Sequence, residues 1–144
     1  MNKPVLALLS FVVLAACGGG TTAAPPAPRI TFTMGVQNAS AVSGTGEIVK
    51  GTGSFTVSVK LTGLAANSSH ISHIHVGSCT APGGVAFALQ QTVADSAGVA
   101  TVTTTVPAGY AVPASGWYVN IHHGPDFSAP ANAPSVSCGV LPVA

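Results

Sequence analysis

Charged residues are scarce in this 144-residue sequence. Lysine and arginine total four and aspartate and glutamate total three, so charged residues make up 5% of the chain and the net charge is +1. Nucleic-acid binding through a basic surface needs many more cations, and charge-driven docking on a membrane is excluded for the same reason. Because 47% of the residues are hydrophobic, the composition also differs from that of highly charged disordered chains.

Aromatic residues make up only 6% of the sequence, and the helical period of 3.6 residues does not occur after the N-terminal segment. Hydrophobic and polar residues instead alternate with a period of two, which is typical of half-buried strands. Turn residues separate these runs, for example at 43–46, 95–98 and 125–126. We predict an all-β fold, a Greek-key antiparallel sandwich or barrel of about eight strands. The alternating runs are residues 30–36, 55–61, 71–76, 85–89, 100–106, 117–121 and 136–140, with a shorter one at 47–50.

The N-terminal residues 1–16 have the pattern of an export signal. Lys3 precedes an apolar run, residues 5–14, that is too short to span a bilayer as a mature helix. The run ends in small residues before Cys17, a pattern that resembles the bacterial lipobox, in which the signal is cut before a cysteine that then carries lipid. An ordinary signal peptide that contains a cysteine is the alternative.

The chain therefore divides into three parts. The signal peptide, residues 1–16, is followed by the lipidated Cys17 and a flexible tether over residues 17–28, rich in Gly, Thr, Ala and Pro. Residues 29–144 form the β-domain. No Asp follows Cys17, which resembles the sorting pattern of Gram-negative outer-membrane lipoproteins. We expect a lipid-anchored protein of the bacterial cell envelope, in the outer membrane and facing the periplasm or the exterior.

The sequence has three cysteines, and lipidation of Cys17 leaves two, Cys79 and Cys138. An even remainder in an exported protein predicts a disulfide bond between them. A pair of free thiols is the alternative.

All five histidines lie in two short windows, residues 70–75 and 122–123. In a strand, residues two apart share a face, so His73 and His75 point the same way and the apolar residues between and after them point to the core. His122 lies on the outer face of its own strand by the same argument. If the two strands are neighbours, three imidazoles converge, and such a set suits copper or zinc. A hydrogen-bonded polar cluster that joins two strands is the alternative.

Other polar residues near these windows are candidates for a supporting role. His70 and His123 could each be a fourth ligand, a neighbour of the ligands or a structural residue. Asp126 could accept the free N–H of a ligating histidine and so fix its tautomer. Tyr118 and Asn120 share the outer face of His122, although packing and strand hydrogen bonds would also explain them. We assign no catalytic residue, because no paired carboxylates or nucleophile elbow occur.

Two stretches resemble the CHRD domain, which is named from chordin and is common in bacterial exported proteins. They are HIHVG at residues 73–77 and GWYVNIH at residues 116–122. The resemblance covers residues 29–144.

A second resemblance is to the Cu,Zn superoxide dismutases, and it rests on His73, His75, Cys79, His122 and the CGVL stretch at residues 138–141. It implies an eight-stranded Greek-key barrel, a copper site outside the barrel wall and a disulfide between the two matching cysteines. The dismutases also have a histidine that bridges copper to zinc, and no histidine lies between His75 and His122 here. Ser135 stands where they carry an arginine that guides superoxide. These departures imply a mononuclear site without fast dismutation.

The sequence thus predicts a lipid-anchored envelope protein that binds a single copper ion through His73, His75 and His122. Zinc is the alternative metal, and weak superoxide or redox activity would depend on the bound copper. The rival interpretation is a non-catalytic CHRD module that acts in structure or protein interaction and holds no metal. The expected partners are a metal ion and the membrane, and nucleic acid is not among them.

Overall fold

The computed structural model describes residues 25–144. The predicted signal peptide and the predicted lipidation site, Cys17, lie outside the described residues. Residues 25–28, the end of the predicted tether, are exposed and have no regular secondary structure. Within the described part of the chain, none of the helical segments has the length and apolar character needed to cross a membrane.

Alternation of apolar and polar side chains produces β-strands throughout the described domain. Eight of the strands form one antiparallel sheet in the order β6-β5-β9-β10-β1-β2-β3-β8, and β4 pairs with β7 separately. The only helical segment of residues 25–144 is a short 3₁₀ turn, Pro130–Asn132. The strands are β1 (Arg29–Val36), β2 (Ser43–Lys50), β3 (Phe55–Thr62), β4 (Ser69–His70), β5 (Ser72–Gly77), β6 (Pro82–Ala88), β7 (Thr92–Val93), β8 (Ala100–Val106), β9 (Trp117–His122) and β10 (Ser135–Val140).

The sheet curls, so that its two halves face each other across one hydrophobic core. Phe55 of β3 lies in one half, and its ring packs 6.0 Å from both Phe87 of β6 and Trp117 of β9 in the other half, measured between centroids. Strand β1 joins the halves, because most of it pairs with β2 while Gly35 and Val36 pair with β10. Burial of large side chains such as Phe55 contributes roughly 1.5–3 kcal/mol each.

The predicted all-β class is confirmed, with strands at each of the eight alternating runs. The finer likeness to the superoxide dismutase barrel stays a prediction. The turn that we expected at residues 43–46 is wrong, because these residues are the first half of β2. Their glycines are needed in the strand: a Cβ at Gly44 would lie 1.9 Å from the Lys60 carbonyl oxygen, and one at Gly46 would overlap the Phe32 ring.

The predicted disulfide between Cys79 and Cys138 is confirmed. Cys79 follows β5, and Cys138 lies in β10, opposite Asn120 of β9. The strand order places β9 between β5 and β10. The disulfide therefore links the two neighbours of the strand that carries His122.

Candidate metal centre

Two neighbouring strands position the three histidines that the sequence singled out. Strands β5 and β9 pair in antiparallel register, with His73 opposite Asn120 and His75 opposite Tyr118. Ile74, between the two histidines, is fully buried in the core, so His73 and His75 project from the opposite face of the strand. His122 is the last residue of β9 and lies diagonally across from His73. The structure therefore brings together the three imidazoles.

The imidazole rings form a compact triangle. The ring centroids are 5.6 Å apart for His73 and His75, 5.5 Å for His73 and His122, and 5.9 Å for His75 and His122. One nitrogen from each ring lies within 4.8 Å of the other two. Because a metal–imidazole bond is about 2.0–2.1 Å long, small ring rotations would let one ion reach all three nitrogens.

Backbone carbonyls fix the tautomers of two of the rings. The Nδ1–H of His75 donates to the Gly83 carbonyl at 3.0 Å, and the Nδ1–H of His122 donates to the Ala133 carbonyl at 2.6 Å. With the proton on Nδ1, the Nε2 atom of each ring keeps its lone pair. Outer hydrogen bonds of this kind commonly orient metal-binding histidines.

Two ring nitrogens of the cluster are buried without a hydrogen-bond partner, Nδ1 of His73 and Nε2 of His75. A buried polar group left without a partner costs about 1–3 kcal/mol, so native structures rarely contain one without a functional reason. A metal cation between the rings would satisfy both atoms. The donor set therefore fits a metal ion.

Nε2 of His122, by contrast, has a hydrogen-bond partner within the chain. The Asn120 side-chain amide donates to Nε2 of His122 at 3.1 Å, and the hydroxyl of Ser135 donates to the amide oxygen of Asn120. Asn120 is itself buried. An ion that bound His122 through Nε2 would replace this hydrogen bond, so the amide competes with the metal for that lone pair.

Burial favours the neutral form of the histidines. It lowers the pKa of His73, and positive charge on His122 or His75 would lower it further. Burial also lowers the pKa of His122, although the hydrogen bond to Ala133 opposes this shift. Because metals bind the neutral imidazole, the lowered pKa values of His73 and His122 favour the ligand form of these two rings near neutral pH.

Three other predicted residues, His70, His123 and Asp126, lie outside the triangle. His70 is buried, and its Nδ1–H donates to the His122 carbonyl at 2.9 Å, which ties β4 to the end of β9. His123 is exposed and outside the cluster. The Asp126 carboxylate accepts hydrogen bonds from Ser128 and Asn132 rather than from a histidine. It is the Ala133 carbonyl that orients His122.

Tyr118 is the remaining predicted neighbour of the triangle. Its ring stacks on His75 with 5.2 Å between centroids and an angle of 23° between the planes. The side chain is buried, and burial raises the pKa of the Tyr118 hydroxyl. Tyr118 therefore supports one side of the His75 ring.

Sequence reasoning missed Phe127, which packs against two of the three imidazoles. Its ring stacks on His73, with centroids 5.9 Å apart and planes 13° apart, and it meets His122 edge-on at 4.9 Å. Phe127 lies in the loop between β9 and β10. The sequence did offer one indication: Phe127 is the only large apolar residue in a loop of small, polar and proline residues that directly follows the second histidine window.

Fold and site together define a disulfide-bonded β-domain with a three-histidine cluster on the outer face of its sheet. The model of the CHRD domain family matches residues 31–125, about two thirds of the chain. The chain belongs to the CHRD domain family. The matched segment contains all three histidines of the cluster and ends before β10. No curated protein matches the chain.

Proposed function

We propose that this CHRD protein binds a single copper ion through Nδ1 of His73 and Nε2 of His75 and His122. The observation that carries the proposal is the pair of buried ring nitrogens without hydrogen-bond partners, in a cluster whose three rings each bring one nitrogen within 4.8 Å of the others. Three imidazole nitrogens with one open coordination position are a donor set that proteins use for divalent metal ions.

Copper is the preferred ion on chemical grounds. Imidazole suits both copper and zinc, but divalent copper binds a given nitrogen site more tightly than zinc does. Within residues 25–144, the cluster has no further histidine or carboxylate that would complete a zinc site. Structural zinc sites usually have four protein ligands, whereas this cluster offers three. Zinc is therefore the second choice of metal.

A bound copper ion would supply one-electron redox chemistry, and we propose that any superoxide activity is weak. The protein residues around the cluster supply no cation to attract an anionic substrate, because Arg29, Lys50 and Lys60 lie on β1, β2 and β3. Ser135, which stands where the dismutases have an arginine, is uncharged, and its hydroxyl donates a hydrogen bond to the side-chain oxygen of Asn120. The main role is therefore copper holding.

We also propose that lipid on Cys17 anchors the protein to the envelope, in the outer membrane. The support is the lipobox-like pattern before Cys17 and the absence of Asp after it. Replacing Cys17→Ser should move the protein from the membrane fraction to the soluble fraction of a Gram-negative host. Retention of the variant in the outer-membrane fraction would contradict the anchor.

A metal titration tests the copper proposal. The purified full-length protein is loaded with Cu(II) or Zn(II), dialysed and analysed for bound metal. We expect about one copper ion per chain, as for other three-nitrogen sites with an open position. His73→Ala, His75→Ala and His122→Ala should each abolish retention. The matched control is His123→Ala, which removes an exposed histidine next to the cluster and should leave copper bound.

The alternative function is a structural or protein-interaction module whose histidines join two strands. The hydrogen bond from Asn120 to His122 favours it, since that ring is satisfied without an ion. If the wild-type protein retains no copper or zinc, the metal proposal is wrong and this alternative stands. If copper is retained, a superoxide assay on the loaded protein separates copper holding from catalysis.

A further inference from the structure

The most exposed large aromatic side chain in the described domain lies on the histidine cluster. Phe127 is 52% exposed and is not part of the hydrophobic core. Its ring contacts the imidazoles of His73 and His122. An exposed phenylalanine loses part of the stabilisation that burial would give it, so core packing does not account for this position.

Local hydrogen bonds hold the loop that carries Phe127. The Asp126 carboxylate accepts from the backbone N–H of Ser128 at 2.8 Å, from its hydroxyl at 2.6 Å and from the Asn132 amide at 3.2 Å. The Gly124 N–H donates to the Asn132 carbonyl at 3.1 Å, and a Cβ at Gly124 would overlap the Asn132 side chain. These contacts fix the path of the loop backbone on both sides of Phe127.

The protein also borders the cluster on the side of the sheet and beside His75. Strands β5 and β9 form its floor, and Tyr118 stacks against His75. The Phe127 ring lies against His73 and His122, two of the three imidazoles. A ligand that approached an ion between the rings from this side would meet the Phe127 ring.

We propose that Phe127 is a specificity-determining cap that covers the open coordination position of the ion held by the cluster. The cap admits small neutral ligands such as water and disfavours anions, because an apolar ring offers an anion neither charge nor hydrogen bonds. It also slows the release of the ion. This inference rests on the copper site proposed above.

The charge distribution agrees with a cap that disfavours anions. Within residues 25–144, all cationic lysine and arginine side chains lie on β1, β2 and β3, which the sheet order separates from β5 and β9 by β10. The charged group nearest to Phe127 in the chain is the carboxylate of Asp126. The loop beside the cluster, residues 123–134, therefore contributes an apolar ring and a carboxylate, and it contains no lysine or arginine.

Azide binding and copper release test the cap. The full-length protein and its Phe127→Ala, Phe127→Leu and Val36→Ala variants are titrated with Cu(II) to measure stoichiometry. Azide affinity is then followed by the azide-to-copper absorbance band, and copper removal by excess EDTA is followed over time. Val36 is a similarly exposed apolar residue, on β1, and serves as the matched control.

We expect the four proteins to bind copper with equal stoichiometry. Phe127→Ala should bind azide about tenfold more tightly and lose copper to EDTA about tenfold faster, a change of one decade in each constant. Phe127→Leu, which keeps apolar bulk, should lie between it and the wild type, and Val36→Ala should match the wild type.

The other possible outcomes would contradict either the cap or the copper site beneath it. Equal azide affinity and release in Phe127→Ala and the wild type would overturn the cap alone. If Phe127→Ala binds no copper while the wild type does, Phe127 assembles the cluster rather than covering it. If Val36→Ala changes as Phe127→Ala does, the effect is not specific to the ring. A wild-type protein without copper would overturn both the site and its cap.

Discussion

The protonation of single imidazoles links the histidine cluster to the stability of the whole domain. Burial lowers the pKa of His73 and His122 in the folded protein below the ordinary value of 6.5. The unfolded chain therefore takes up protons on these residues at a higher pH than the folded chain does. Such a difference makes the stability of the metal-free protein depend on pH.

The free energy of unfolding of the metal-free protein should be highest above about pH 6.5, where His73 and His122 are neutral in both the folded and the unfolded state. As pH falls below that value, the unfolded state gains protons first and stability declines. The decline ends once the pH is below the lowered pKa values of the folded state. Urea denaturation of the metal-free protein between pH 8 and about pH 4 measures this dependence.

Histidine variants identify the groups responsible for the dependence on pH. His73→Asn and His122→Asn should each flatten the decline in stability, because each removes a group with a lowered pKa. His123→Asn removes an exposed histidine and should leave the slope as it is. A pH profile that is unchanged in all three variants would show that groups outside the cluster cause it.

The residues of the cluster were predictable because period-two alternation assigns each histidine to a face of its strand. The same alternation could not give the tautomers of His75 and His122. These depend on carbonyls of Gly83 and Ala133, which come from an edge strand and a loop. Phe127 was not predictable for the same reason: the path of its loop over the cluster is set by hydrogen bonds to Asp126, which have no periodic signal.

Among the elements, strand β2 shows how a glycine-rich stretch can belong to a sheet. Glycine is uncommon in strand interiors, and the segment Ser43–Lys50 begins with alternating glycines that resemble a turn. Gly44 and Gly46 face Leu61 and Val59 of β3 on one side, and on the other Gly46 faces Phe32 of β1. Only the register of three strands reveals that a side chain at these positions has no room.

Gly44→Ala should therefore destabilise the domain by about 1–3 kcal/mol, as expected when a methyl group is forced into a packed region. The clash is with backbone, since the new Cβ would lie 1.9 Å from the Lys60 carbonyl oxygen, so strands β2 and β3 would have to separate. Urea denaturation measures the loss.

Gly84→Ala is the matched control for this strand substitution. Gly84 also lies in a strand, β6, but a Cβ there would have no atom within 4 Å. The free energy of unfolding of the Gly84→Ala variant should be close to that of the wild type. If both alanine variants were equally stable, crowding would not be the reason for glycine in β2.

The two-residue strands β4 and β7 also escaped sequence analysis. A run of two residues has too few positions for alternation to be recognised. Strand β4 nevertheless matters to the site, because it contains His70, whose imidazole donates to the His122 carbonyl. Tertiary contacts rather than local pattern create these short elements.

For the molecule as a whole, the disulfide closes a large loop around the site. Cys79 and Cys138 are 59 residues apart in sequence, and strands β6, β7, β8 and β9 lie between them. A crosslink of this length restricts the unfolded chain more than the folded one. It therefore stabilises the fold and holds β10 beside β9.

Replacing both cysteines, Cys79→Ala with Cys138→Ala, should lower the free energy of unfolding by about 4 kcal/mol in the chain-entropy description. Thermal denaturation of the double variant and of the wild type, each with and without dithiothreitol, measures the effect. The reductant should destabilise the wild type by a similar amount and leave the double variant unchanged. Equal melting temperatures for the oxidised wild type and the variant would contradict a stabilising crosslink.

The position of Trp117 gives the molecule an internal fluorescent reporter. It is the sole tryptophan of the sequence, it is buried between the two halves of the sheet, and it begins the strand that His122 ends. Its emission is consequently sensitive to separation of the halves, through exposure of the indole to water. Paramagnetic Cu(II) on the same strand would quench that emission, so one spectrum can follow both unfolding and metal loading without an added dye.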